Sequence, residues 1–218
     1  MSRRNLRRHV AVLLAVLASP AANPAERCPP ALILLAPSYQ APDGFEYAPA
    51  EELRKRGGTG TRDHALGVIT TTVGWDADIR IRKRCRGAEC RLCVDRIEGT
   101  AGFDPARIRV AERLRGDRCR TEAVLAHEER HSRVFAESTR LGVQRLVDSL
   151  TRWAWEQAAL DATPESAGAA ASTRYREIRA LMEEGTAWIE RRARARNERI
   201  DGAGAYRAEI EDMERRCS

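Results

Sequence analysis

The chain has 218 residues, with 38 Lys and Arg, 32 Asp and Glu, and six cysteines, a length that admits one ordinary domain or two small ones and excludes a large multidomain enzyme. At 43% hydrophobic, 5% aromatic and 32% charged residues, it can bury a modest core flanked by solvated helices, which excludes a wholly disordered chain. Much of the +6 formal charge belongs to Arg3, Arg4, Arg7 and Arg8; without these four the balance is 34 against 32, or +2, and the remainder has no electrostatic reason to seek nucleic acid.

Residues 1–9 are rich in arginine, residues 10–18 are apolar without interruption, and Ser19-Pro20-Ala21 supplies small residues where a signal peptidase reads. This is the layout of a secretory signal peptide over residues 1–21, followed by a single domain over 22–218. The apolar run is too short for a stable membrane anchor. Ser2-Arg3-Arg4-Asn5-Leu6 resembles a twin-arginine export signal in part, and Cys28 lacks the preceding small apolar residues of a lipidated cysteine. The expected location is therefore periplasmic or extracellular.

All six cysteines, Cys28, Cys85, Cys90, Cys93, Cys119 and Cys217, lie after the signal segment. In an exported chain they are expected to form disulfides rather than a zinc site at Cys90-x-x-Cys93. Cys85 is expected to join Cys90 or Cys93 around the turn at Arg86 to Glu89, with Cys28 or Cys217 stapling the termini.

Along the chain, the apolar run 31–36 and a short helix at 49–56 are followed by a break at Gly57-Gly58-Thr59-Gly60-Thr61. Strand patterns then fall at 68–73, 78–82, 91–97 and 107–110, and read together as an antiparallel meander with one solvated face. After Asp117, a potential N-cap, the apolar period lengthens to that of a helix. Val124, Val134, Phe135, Leu141, Leu146, Leu150 and Trp153 place one long helix, or two in series, over 118–161. The Pro/Gly-containing stretch 162–168 ends it, and a second amphipathic helix runs from Ser172 to about Arg199, antiparallel to the first. The expected fold class is α+β: a short antiparallel meander beside a long helix, closed by a C-terminal antiparallel helix.

The segment Leu125-Ala126-His127-Glu128-Glu129-Arg130-His131 stands out. Four residues on a helix turn about 400°, so both imidazoles leave one face a turn apart and can hold one tetrahedral cation. Glu128, one step round, is placed to take a proton from water and return it to a leaving amine. This HExxH spacing is that of zinc (Zn2+) hydrolases. The plainer alternatives are two packed core histidines, or a metal held for structure alone.

A third ligand has several candidates. Glu137 lies six residues after His131, but a continuous helix turns it about 120° away. Glu156 is 25 residues on, roughly 37 Å along the helix axis. Antiparallel pairing instead brings Glu198, Asp201, Tyr206 and Glu209 alongside the histidines. Asp201, before Gly202-Ala203-Gly204, is the first choice and Tyr206 the next, as ligand or as the group that polarises a carbonyl. His64 is a further candidate in the Gly-rich approach to the first strand.

With these residues in place, the sequence resembles a family of exported bacterial zinc-dependent proteases of the zincin clan. The resemblance runs from about Tyr47 to Phe135: Glu51-Glu52-Leu53 in a short helix, a Gly-rich turn, a Thr-rich strand leading to Trp75, a cysteine-bearing strand, and the HExxH segment. Members carry a Tyr-Asp and then a His-Gly near their end. Here Ile200-Asp201 matches the first pair and Tyr206 stands where the histidine would be, with no histidine after His131. The resemblance implies a peptidase using His127 and His131 as zinc ligands, Glu128 as acid and base, and Asp201 or Tyr206 to complete the site, acting on a peptide or protein. Its oligomeric state is left open. The rival expectation is a disulfide-stapled, non-catalytic envelope scaffold.

Overall fold

A computed structural model describes residues 28–56, 65–157 and 159–218. The expected signal segment, the Gly-rich break after residue 56 and His64 lie outside the described residues. The fold is α+β, built on strands β1 (Leu32–Ser38), β2 (Phe45–Ala48), β3 (Gly67–Thr70), β4 (Val73–Arg86), β5 (Glu89–Phe103), β6 (Arg107–Ala111) and β7 (Leu160–Ala162). Helices α1 (Ala50–Arg56), α2 (Arg118–Glu156), α3 (Ala167–Ile200) and α4 (Ala203–Arg216) accompany them.

The expected single meander is divided between two sheets. One has the order β1-β5-β4, with β7 sharing the β1 edge of β5; the other has the order β2-β6-β3. Each contains one parallel pair, β1 with β5 and β2 with β6, and the antiparallel pairs are β4–β5, β5–β7 and β3–β6. The division falls inside the Thr-rich run. The Thr71 and Thr72 hydroxyls both donate to Asp104, whose amide donates to the Thr72 carbonyl at 2.8 Å. This knot turns the chain out of one sheet and into the other.

Asp117 caps α2 as its sequence position suggests, its carboxylate accepting from the Arg120 amide at 3.0 Å, which satisfies one of the orphan donors of the first turn. α2 is a single helix of 39 residues. It stops at Glu156, short of the expected 161, because residues 160–162 pair with Leu92, Arg91 and Cys90 as a strand. α3 begins a turn or more before Ser172 and runs antiparallel to α2. Val134, Val143, Leu146 and Leu150 of α2 and Ile178, Met182 and Ile189 of α3 bury against Val94, Ile97 and Phe103 of β5. A second cluster, with Leu53, Leu66, Val110, Val124 and Met213, joins the smaller sheet to the start of α2 and to α4.

The close approach of α2 and α3 depends on Gly142. A methyl group there would lie 2.1 Å from Cγ1 of Ile189, itself fully buried. Gly142→Val is expected to destabilise the fold by about 1–3 kcal/mol through overpacking, measured by chemical denaturation.

Three disulfides close the chain: Cys28–Cys93, Cys85–Cys90 and Cys119–Cys217. The Cys85 bond closes the hairpin turn as anticipated. Cys217 ties the end of α4 to the start of α2, whereas Cys28 anchors the chain before β1 to β5. With no free cysteine, these bonds point to an oxidising compartment. Among the described residues, no helix is long and apolar enough to cross a membrane.

Candidate metal centre

The antiparallel hairpin of α2 and α3 carries the end of α3 back to the first third of α2. There the His127 and His131 rings, one turn apart on α2, lie with their centroids 4.8 Å apart and their Nε2 atoms 3.0 Å apart. Asp201 occupies the C-cap of α3, where its amide donates to the Asn197 carbonyl. Its Oδ1 is 3.2 Å from Nε2 of His127 and 3.0 Å from Nε2 of His131. Tetrahedral ligands at zinc bond lengths of ~2.0–2.2 Å stand about 3.3 Å apart. The three atoms thus match the triangular face of such a shell to within a few tenths of an ångström. His127, His131 and Asp201 form a cluster that can hold a metal ion.

The orientation of both rings is set from behind. Glu209 Oε2, from α4, is 2.8 Å from Nδ1 of His127, and Asn197 Oδ1 is 3.0 Å from Nδ1 of His131. If each Nδ1 carries the proton and donates, each Nε2 presents its lone pair inward. Arg130 Nη2 is also 2.8 Å from Nδ1 of His127, but both would be donors; its partner is Glu209, to which it donates. Two imidazole lone pairs and a carboxylate oxygen then converge within 3.2 Å. Such a group needs protons or a cation among its members.

The electrostatics agree. Burial opposes charge on both imidazoles, but hydrogen bonds to Asp201, joined by Glu209 at His127 and Asn197 at His131, outweigh it and raise both pKa values. For Asp201, burial works against ionisation, yet the two imidazoles hold its carboxyl well below the usual range. Burial pushes Glu128 upward against the pull of His131 and His127. Its carboxylate, in a residue only 4% exposed, lies under β3. Gly67 makes room for it: a methyl there would be 2.8 Å from Oε1. Asp201 is nearly half exposed, so the cluster opens to solvent on its side.

The other candidates are placed elsewhere. Tyr206 stands edge-on to His127, ring centroids 5.4 Å apart, and lines one cavity with Leu66; it is a neighbour of the cluster and not one of its three donors. Glu137 points away and pairs with Arg192 and Arg196. Glu156 is the last residue of α2, and Glu198 is exposed on α3. Asn197 went unnoticed in the sequence, although its signal is present: it precedes Asp201 by four residues, so one helical turn aims both at the same place.

Comparison with protein-family models, with curated proteins and with solved structures found no match.

Proposed function

We propose that the protein is an exported zinc-dependent peptidase. The observation that carries this reading is the convergence of His127, His131 and Asp201 on one point of an HExxH helix whose Glu128 is buried beside them. His127, His131 and Asp201 would hold the ion. When bound, zinc supplies Lewis acidity that polarises a carbonyl and brings the pKa of water towards 7.

The chain's own groups supply the remainder. Glu128, its pKa raised, is poised to accept a proton from the attacking water and to release it to the departing amine nitrogen. Glu209 and Asn197 keep both imidazoles in the ligating tautomer. Tyr206, beside His127, is a hydroxyl donor for the carbonyl oxygen of a bound peptide. β3 borders its sheet and passes directly over Glu128, a position from which an extended peptide can be held by backbone hydrogen bonds. The three disulfides and the signal-like leader support an exported setting for this work.

The test is Glu128→Gln in the mature protein. It should retain bound metal while cleavage of a denatured protein falls by about 10²–10⁴-fold. Equal cleavage by the two proteins overturns the mechanism. Stoichiometric metal without cleavage by either leaves the scaffold reading, with the ion as a structural clamp.

A further inference from the structure

On the outer side of the α2–α3 pair, arginines gather in excess of acids. Glu137 is the carboxylate at their centre: it pairs with Arg196, lies 3.9 Å from Arg192 Nη2, and feels the charge of Arg140. One turn further along, the guanidinium groups of Arg145 and Arg192 sit 5.5 and 5.4 Å from the ring centroid of the half-buried Trp188. Arg140, Arg145, Arg192 and Arg196 against Glu137 leave a local charge of 4 − 1 = +3. Arg133, exposed one turn before Glu137, extends the same face.

A helix surface laced with balanced ion pairs needs no ligand. This one is unbalanced, and like charges held together cost free energy until an anion joins them. Buried Nε of Arg192 has no hydrogen-bond partner among the described residues. Acids bound the stripe at both ends, Glu129 and Asp43 beside Arg133, and Asp148 and Glu184 on the next turns of α2 and α3 beyond Arg145 and Trp188. From Arg133 to Arg145 the stripe is roughly 18 Å long at 1.5 Å per residue, the reach of about five extended residues.

We propose that this arginine groove anchors an acidic peptide segment, which makes acidic polypeptides the preferred substrates. The link to cleavage rests on the peptidase reading; the binding does not. A soluble peptide suits the groove better than a membrane, because the exposed apolar side chains Leu32, Leu34, Trp155 and Tyr175 lie outside the stripe and Phe45 meets it only at the Arg133 end. Trp188 is stacked between cations and is not free to insert. Guanidinium forks match carboxylates in two-point fashion.

The experiment uses the mature Glu128→Gln protein with a chelator present and a fluorescein-labelled peptide of alternating Glu and Ala, followed by anisotropy. Binding is expected, weakening as salt rises. Arg140→Glu with Arg145→Glu, both exposed and so tolerant of change, should weaken it by about tenfold or more. Arg191→Glu with Arg194→Glu, on another face of α3, should not. The groove is overturned by absence of binding, by equal loss in both double variants, or by vesicles of phosphatidylglycerol or by polyphosphate displacing the peptide more readily than unlabelled peptide does. In the active protein, Arg140→Glu with Arg145→Glu should raise KM for acidic peptides and leave kcat unchanged. Peptide binding without any cleavage upholds the groove and removes the peptidase reading; cleavage indifferent to substrate charge overturns the substrate preference.

Discussion

Cys119→Ser with Cys217→Ser is expected to cost about 2–5 kcal/mol of stability, since the bond closes a loop with a sequence separation of 98 residues and cross-links of long loops restrict the unfolded chain most. The effect should also reach the metal centre. α4 is a helix of 14 residues with Met213 buried, too short to be stable by itself. The bond holds its far end to the start of α2, and Glu209, midway along it, stands 2.8 Å from Nδ1 of His127. Without the bond, α4 frays, Glu209 leaves Nδ1, and zinc affinity should fall by about 10–100-fold. Denaturant melts and metal titration of the double variant check the two effects separately. A protein that loses stability yet binds zinc unchanged would show that Glu209 has no hold on the ring.

Asp201→Ala should abolish tight zinc binding while leaving the fold intact. The residue caps a helix end and is nearly half exposed, so its carboxylate contributes little to the core, whereas two imidazoles alone fill half of a tetrahedral shell. In the unaltered protein, zinc at about 100 times its Kd adds about 2.7 kcal/mol, a rise in Tm of roughly 5–10 °C for a chain of this size. The Asp201→Ala protein should melt at one temperature with zinc or with chelator. Because ligation requires neutral imidazole and ionised carboxylate, affinity in the parent protein should fall as pH is lowered. Zinc binding undiminished by the substitution would remove Asp201 from the site.

Most of the helical half was legible because its signals are local; α4 was not, since Gly202-Ala203-Gly204 reads as a loop and yet opens that helix. Asp117 as a cap, the apolar period of α2, the break after it and the amphipathic α3 each follow from neighbouring residues. The candidate donors were legible for the same reason: His127 and His131 share a face by spacing, and antiparallel pairing brings residue 201 opposite them. Sheet membership was not. Nothing in Val68-Ile69-Thr70-Thr71-Thr72-Val73 shows that Asp104 will seize both threonine hydroxyls and split the run between two sheets. The parallel partners of β1 and β2 are likewise set by residues some 60 positions away. The end of α2 fails for a related reason: residues 160–162 keep helical neighbours in sequence but are claimed by β5 in space.

The cluster joins residues 131 and 201, separated by 201 − 131 = 70 positions along the chain. Such a distant pairing forms late, after the entropy of closing so long a segment has been overcome. During vectorial synthesis, HExxH therefore emerges with two donors and waits for the whole of α3 to turn back upon it. A nascent or half-oxidised polypeptide consequently carries only part of the His127, His131 and Asp201 cluster, and the site that could hold an ion is closed last.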